Sequence, residues 1–248
     1  MTDISENNAL CEPSLFDPAM VPCPDMSGKT VIMLPVMYDF KLFKQAFGFT
    51  EPAKKLFCAE LMLNAPNYSQ IVLCGGFIGG PQAVMLLEVL AAKCARNFWF
   101  CGLCGALSAL VHVGSLFVAD NAFSDEGVAR HYSSKKVFAA TEGLIQRLMD
   151  KLAAGKRSYL VGRMASLDAL FRETKSKIAY YRGQGCQAID METAALYAAA
   201  EFHGLNICGL YAVSDVFNDE SWQAGFKSRE LKIARQDMVE IMKEVCHA

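Results

Sequence analysis

Short apolar runs that alternate with amphipathic stretches are the feature that most restricts how this chain can fold. The runs TVIMLPV, SQIVLCGGF and NFWFCGLCGAL are typical of buried strands. The first two are followed by DFKLFKQAFGF and PQAVMLLEVLAAKCA, which have helical spacing. Strands buried on both faces and separated by helices indicate a largely parallel sheet covered on each side.

The same alternation continues to the end of the chain. VGSLFVADNAFS, YLVGRMAS and NICGLYAVSD are further strands, while TEGLIQRLMDKLAAG, residues 173–184, the alanine-rich stretch ending at Gly204, and SRELKIARQDMVEIMKEV are helices. We therefore predict an α/β fold, a single-domain three-layer sandwich with a central, largely parallel or mixed twisted sheet flanked by helices. Residues 1–29 contain four prolines and no apolar periodicity, so we expect an irregular arm over the surface or a neighbouring subunit. Residues 30–248 form the predicted domain.

Charge and hydropathy exclude several classes of partner. A net charge of -2 gives no basic footprint for nucleic acid or an anionic membrane. The apolar runs are shorter than a bilayer span, and the first residues are polar and acidic, which is unlike a secretory signal. Ten cysteines lie mostly in apolar segments, as expected for reduced thiols in the cytoplasm. We therefore expect a cytoplasmic protein that binds a small molecule.

Metal and cofactor signals are weak. Cys101 and Cys104 form a lone C-x-x-C, which suits a redox pair or half of a zinc site, but no second half follows. Buried core thiols are the alternative. The chain has neither a P-loop nor a dinucleotide fingerprint. We predict no metal and no organic cofactor.

In proteins with a parallel α/β sheet, ligands bind beyond the carboxyl ends of the strands. Three turns qualify: Gly75 to Gly80, Gly102 to Gly105, and Ser214 with Asp215. The last of these ends the segment AIDMETAALYAAAEFHGLNICGLYAVSD, residues 188–215, which resembles the signature of the nucleoside phosphorylase family. That family includes purine and uridine phosphorylases and methylthioadenosine nucleosidases. GGFIGGPQAVMLLEVLAA, WFCGLCGALSALVHVGSLFVADNAFSDEGVARHY and SLDALFRETKSKI extend the resemblance over residues 30–245. It implies cleavage of the N-glycosidic bond of a nucleoside.

The resemblance implies a ribose site at Glu192 and Met191. Glu192 would accept hydrogen bonds from the ribose 2'- and 3'-hydroxyls, and Met191 would pack beneath the sugar. A carboxylate there favours the positive charge that develops on the sugar during cleavage. Without the resemblance, Glu192 would be read as a solvated charge and Met191 as core.

The resemblance also implies a base site. Asp215 corresponds to the aspartate that protonates or hydrogen-bonds N7 in purine-cleaving members, and uridine phosphorylases lack an acid there, so a purine-type base is expected. A loop or helix-capping carboxylate is the alternative. Leu170 and Phe171 fall in the region that stacks on the base, or else pack in the core. Gly75, Gly105 and Ser214 are predicted to line the substrate site.

The sequence departs from the family where phosphorylases bind phosphate, the molecule that receives the sugar when the glycosidic bond is cleaved. The phosphorylases begin with a Gly-Asp-Pro-x-Arg loop, where this chain has Val36 and Phe40, and they place arginine and threonine where it has Phe100 and Leu103. A phosphate without arginine partners is poorly compensated. Inorganic phosphate remains a possible co-substrate if other arginines replace the missing ones, and the candidates are Arg130, Arg163 and Arg172.

Hydrolytic members use an acidic residue after the first strand to activate water, and Asp39 lies near that position. Phosphorolysis and hydrolysis are left nearly even. A homo-oligomer, from dimer to hexamer, is implied, with the arm and His131 as contributors to a neighbour's site. Two other classes stay open: a nucleoside-binding protein that has lost catalysis, and a redox or metal protein built on the C-x-x-C pair.

Overall fold

The computed structural model describes residue 12 and residues 14–155, 157–218 and 221–247. The strands within these ranges join into one sheet. They are β1 Thr30–Leu34, β2 Lys54–Leu56, β3 Ala59–Met62, β4 Ile71–Gly75, β5 Asn97–Ala106, β6 Leu116–Ser124, β7 Val137–Ala139, β8 Tyr159–Ser166, β9 Cys186–Asp190, β10 Asn206–Phe217 and β11 Trp222–Ala224.

The helices pack against this sheet. They are α1 Met37–Ala46, α2 Gly79–Ala92, α3 Glu142–Ala154, α4 Lys175–Gly183, α5 Thr193–His203 and α6 Arg229–Cys246, with 3-10 turns at Pro18–Met20, Ala129–His131 and Leu170–Arg172. Gly204 ends α5 in the left-handed conformation, with φ of 62°, as its position after an alanine-rich helix predicts. Among the helices that the structure describes, none has both the length and the apolar character needed to cross a bilayer.

The sheet is mixed, which confirms the predicted architecture. Strand β1 runs parallel to β4 and β5, and β5 runs parallel to β10. Beyond β10 the direction reverses at β6, which pairs in parallel with β8, and β8 pairs in parallel with β9. Strand β9 then returns antiparallel to the carboxyl end of β5. The pairings β5, β10, β6, β8 and β9 therefore close into a ring whose seam lies at the end of β5.

The predicted order of long strands and helices is confirmed, and the misses are short edge strands. The hairpin of β2 and β3, the strand β7 and the strand β11 were not predicted. Strands β2 and β11 leave most of their side chains exposed, so neither has the apolar run that marks a buried strand. Such strands form because a neighbouring strand offers unpaired backbone groups.

The part of the N-terminal arm that the structure describes contacts Lys93, the residue after α2 of the same chain. The Lys93 Nζ atom donates to the Ala19 carbonyl at 2.7 Å, and the Met26 amide donates to the Lys93 carbonyl at 2.6 Å. The Met26 side chain is fully buried. Residues 1–11 and 13 of the predicted arm lie outside the described residues, and contact with a neighbouring subunit stays a prediction.

Candidate active site

Gly105, near the end of β5, lies between Asp215 and the strand that leads to a second acidic residue, Glu192. Gly105 pairs with Ile189 of β9 on one side and with Asp215 of β10 on the other. A Cβ atom at Gly105 would lie 2.9 Å from Asp215 Oδ2 and 3.1 Å from Ile189 Cγ2. Glycine therefore allows the two strands to approach closely at the seam of the sheet. The structure brings together Gly105, Asp215 and the carboxyl end of β9, which stops two residues before Glu192.

Glu192 is held between β9 and α5. It occupies the residue before the first turn of α5 and is only 7% exposed. Its Oε1 atom accepts a hydrogen bond of 2.6 Å from the backbone N–H of Gly79, the first residue of α2. The N-terminus of a helix favours a negative charge. The carboxylate is thus fixed at the carboxyl edge of the sheet, and the solvated-charge reading of Glu192 is wrong.

Glu192 also has an acidic neighbour. Burial raises the pKa of Glu192, and the negative charge of Asp190 raises it further, while the Gly79 hydrogen bond lowers it. Asp190 is itself held by the Ser166 hydroxyl at 2.6 Å and by the Thr193 amide at 3.0 Å. Burial also raises the pKa of Asp190, and these donors act in the opposite direction. The two neighbouring acids therefore occupy a buried site that disfavours two negative charges. Met191 lies between the two acids and is half-buried.

Asp215 sits at an irregularity of β10. The register of β10 against β5 shifts between Val213 and Asp215, and such bulges re-aim side chains at functional sites. The carboxylate accepts hydrogen bonds from the Ser214 hydroxyl at 2.6 Å and from the Trp222 indole N–H at 2.8 Å. It is 9% exposed. Sequence analysis missed Trp222, which reaches Asp215 because β11 folds back onto β10.

Glu173 is a second acid at the Asp215 end of the site, and sequence analysis missed it as well. It follows the 3-10 turn Leu170–Arg172. Burial and the charge of Asp215 raise the pKa of Glu173 to about 7. The stretch SLDALFRETKSKI, which carries part of the family resemblance, contains Glu173 two residues after Phe171, and this position was the available signal. The two carboxyl groups are close enough to interact electrically, and one of them is protonated for much of the time at neutral pH.

The remaining predicted ligands lie outside this buried group. Leu170 is 49% exposed and Phe171 is 96% exposed, so the alternative that they are core residues is wrong. Arg130 and His131 lie exposed on the 3-10 turn Ala129–His131. All four are open to a ligand or a second subunit, and contact with substrate stays a prediction for each.

Gly75 has a packing role in the structure. A Cβ atom at Gly75 would lie 2.3 Å from the Phe40 ring and 2.9 Å from the Leu34 carbonyl oxygen. Gly75 therefore makes room for the Phe40 side chain beside β1. The glycine that contacts the site is Gly79, through its amide.

Asp39 has a different partner from the one that a base for water requires. It is fully buried in the first turn of α1, and its Oδ1 atom lies 3.3 Å from Nε of Arg235 on α6. Burial raises the pKa of Asp39 to about 6, and the positive charge of Arg235 acts in the opposite direction. Among the described residues Asp39 has no hydrogen bond or ion pair with Glu192 or Asp215. We therefore assign Asp39 to the packing of α1 on α6.

The C-x-x-C pair lies inside the sheet. Cys101 and Cys104 are buried on β5 and carry free thiols. Side chains three positions apart on a strand point to opposite faces, so the two sulfur atoms do not face each other. The structure contains no group of three or more metal-binding side chains within the described ranges.

An α/β sandwich with buried carboxylates beyond neighbouring strand ends has the architecture of an enzyme that acts on small polar molecules. The model of the phosphorylase superfamily matches residues 30–246. The chain belongs to that superfamily.

Several relatives are similar in sequence. Guanosine phosphorylase of Halorubrum lacusprofundi is 30% identical over 138 residues, which are 55% of this chain and 57% of the relative. Purine nucleoside phosphorylase DeoD-type 1 of Shewanella oneidensis is 29% identical over 148 residues, 58% of this chain and 63% of the relative. The matched part of the chain spans less than two thirds of the length of these relatives.

Solved structures share the fold over most of their length. Futalosine hydrolase of Helicobacter pylori superposes with a TM-score of 0.75 and 18% identity, covering 88% of this chain and 96% of the other. The 5'-methylthioadenosine/S-adenosylhomocysteine nucleosidase of the same organism superposes with a TM-score of 0.75 and 17% identity, covering 88% of this chain and 97% of the other. Purine nucleoside phosphorylase of Toxoplasma gondii superposes with a TM-score of 0.74 and 19% identity, covering 95% of this chain and 98% of the other.

Proposed function

We propose that this chain hydrolyses the N-glycosidic bond of a purine-type nucleoside. The observation that carries the proposal is that Gly105 pairs with Asp215 on one side and with Ile189, three residues before Glu192, on the other, while Glu192 and Asp215 are both buried. Relatives named guanosine phosphorylase and purine nucleoside phosphorylase support a purine-type base. The proposed reaction requires neither a metal nor an organic cofactor.

Glu192 acts on the sugar. Its carboxylate accepts hydrogen bonds from the ribose hydroxyls, and its negative charge stabilises the oxocarbenium-like transition state. The Gly79 amide fixes one carboxylate oxygen in advance, so little reorganisation is needed when charge develops on the ribose. Met191 packs beneath the sugar ring.

Asp215 and Glu173 act on the base. A purine leaves more easily when N7 is protonated or hydrogen-bonded. The proton that Glu173 retains near neutral pH, because of burial and the charge of Asp215, is available to this pair. Trp222 and Ser214 hold the Asp215 carboxylate in place. Bond cleavage is thus supported at both ends of the substrate.

Water is the proposed acceptor because the surroundings of Glu192 disfavour phosphate. The charges of Asp190 and Asp168 both act to raise the pKa of Glu192, and a phosphate dianion would be repelled by the same carboxylates. The amide of Gly79 is already used by Glu192. Arg163 donates to Asn121 and to the Gln184 carbonyl, both at 2.6 Å, which leaves it committed to the fold.

Hydrolysis and phosphorolysis leave different sugars. With phosphate present, we expect free ribose as the sugar product. Ribose 1-phosphate as the product would overturn the choice of water. The measurement is mass spectrometry of the sugar released from a purine nucleoside.

The alkaline limb of the pH profile is expected to report Glu173. A carboxyl group with a pKa of about 7 loses its proton as the pH rises through that value, so turnover should fall above about pH 7. Glu173→Gln keeps a hydrogen donor at every pH and should flatten this limb while lowering the maximal rate. The measurement is kcat across the pH range, and superimposable wild-type and variant profiles would remove Glu173 from the reaction.

We also propose a cytoplasmic homo-oligomer, as the family resemblance implies. Phe171 is 96% exposed two residues before the site residue Glu173, and a second subunit would cover it. His131 and Arg130 are exposed on their 3-10 turn and are available to a neighbour's site. Sedimentation of the full chain tests the assembly.

A further inference from the structure

A cavity separate from the candidate active site opens at the start of helix α6, with a volume of about 340 Å³. Its walls include two aromatic rings, one hydroxyl group and three cationic side chains: Tyr38, Phe226, Ser228, Lys227, Lys232 and Arg235. It shares no residue with the group around Glu192 and Asp215. Nothing in the reaction proposed above uses these cations.

The cavity adjoins the segment that holds Asp215. Strand β11 pairs with β10 at Asp215, and the Gly225 amide donates to the Ser214 carbonyl at 2.8 Å. Phe226 is the next residue along the chain and lines the cavity. The opposite wall is Tyr38, in the first turn of α1 just beyond the carboxyl end of β1. The cavity therefore lies at the same edge of the sheet as the nucleoside site.

The cavity carries an excess of positive charge. Lys227 and Lys232 are exposed, and neither has an ion pair within the part of the chain that the structure describes. The Nε atom of Arg235 is paired with Asp39 at 3.3 Å. Of the three cations, one is thus partly neutralised and two are not.

The arrangement of these groups differs from that of scattered surface lysines. Helical spacing places Lys232 and Arg235 on one face of α6, and Lys227 and Ser228 immediately precede the helix. Cations collected around a concavity with low-dielectric walls raise the local concentration of anions. Arg235 also lies 4.8 Å over the Tyr38 ring, which fixes the guanidinium plane. Guanidinium and ammonium groups together are the side chains that recognise phosphate oxygens.

We propose that this cavity binds a phosphate-type oxyanion, and that the anion is a substituent of the nucleoside that is cleaved. Its role toward the substrate rests on the proposed function, whereas binding of the anion does not. The substrate class is then a purine nucleoside that carries a phosphate or similar group on the sugar, such as a nucleoside 5'-monophosphate. Free inorganic phosphate has the same chemistry and is the competing source.

Calorimetric titration of the full chain separates these sources. The ligands are inorganic phosphate, adenosine, inosine and their 5'-monophosphates. We expect each monophosphate to bind at least about tenfold more tightly than its nucleoside, since charge-assisted hydrogen bonds are gained. Lys227→Ala/Lys232→Ala should abolish that preference, and Lys227→Arg/Lys232→Arg should retain it. Lys54→Ala/Lys151→Ala, which removes the same charge elsewhere, should behave as the wild type.

The outcomes are distinct. Phosphate binding that is lost in the alanine variant, without any preference for the monophosphates, would support the oxyanion site and make free phosphate its ligand. Equal affinities in the wild type and the alanine variant, or no binding of any anion, would overturn the proposal. Monophosphate binding without release of base would leave the cavity assignment standing and remove the proposed function instead.

Discussion

Glu192→Gln is expected to lower kcat by about a hundredfold to a thousandfold, the loss typical when a preorganised electrostatic group is removed from a transition state. The amide oxygen can still accept the Gly79 hydrogen bond, but it carries no negative charge to stabilise the sugar. Folding should be unaffected or slightly favoured. The raised pKa of Glu192 means that its ionised form is disfavoured in the folded protein, and glutamine removes that cost.

Single-turnover release of base and a thermal melt measure the two effects of Glu192→Gln. Glu201→Gln is the matched control, because Glu201 lies on the same helix and pairs only with Lys135 at the surface among the described residues. That variant should retain wild-type turnover. Wild-type activity in Glu192→Gln would remove Glu192 from the catalytic assignment.

Asp215→Asn is the second substitution with a large expected effect. Asparagine can accept the Trp222 hydrogen bond but carries no charge to raise the pKa of Glu173, so the proton offered to the leaving base is lost. We expect kcat for an ordinary purine nucleoside to fall by about a hundredfold or more, as for removal of a general acid. A nucleoside methylated at N7 already carries a positive charge on its base and needs no such acid. The Asp215→Asn variant should therefore lose far less activity toward the methylated nucleoside than toward the ordinary one.

The comparison between these two substrates isolates the role of Asp215. Asp237→Asn serves as the control, since Asp237 is a partly exposed residue of α6 that pairs with Arg157. Steady-state kinetics with both substrates measure the effect. An equal loss of activity for the ordinary and the methylated nucleoside would show that Asp215 does not protonate the base.

The parts of the fold that the sequence predicts are those with buried strands. Strand β4 is buried along its whole length, so its apolar run and the following helix are visible without any tertiary information. The hairpin of β2 and β3 lacks such a run, because Lys54 and Lys55 are exposed. Its pairing depends on the free edge of β4, which local sequence does not reveal.

The site residues also differ in whether the sequence reveals them. Glu192 and Asp215 lie in one continuous signature, so resemblance identifies both. Trp222 reaches Asp215 only after β11 has paired with β10, and Glu173 approaches it from a separate segment of the chain. Asp39 shows the converse. Its place after the first strand suited a base for water, but Arg235 from the last helix of the chain pairs with it. Each of these contacts forms only when separate elements of the chain pack together.

Release of free base from inosine, adenosine, methylthioadenosine and uridine, each with and without phosphate, distinguishes hydrolysis from phosphorolysis and purine-type from pyrimidine substrates. Phosphorylated forms of the same nucleosides extend the panel to the class that the cationic cavity favours. We expect release from purine-type substrates at a rate that phosphate does not change, and none from uridine. Release that requires phosphate would contradict hydrolysis, and release from no substrate would make the protein a nucleoside-binding protein.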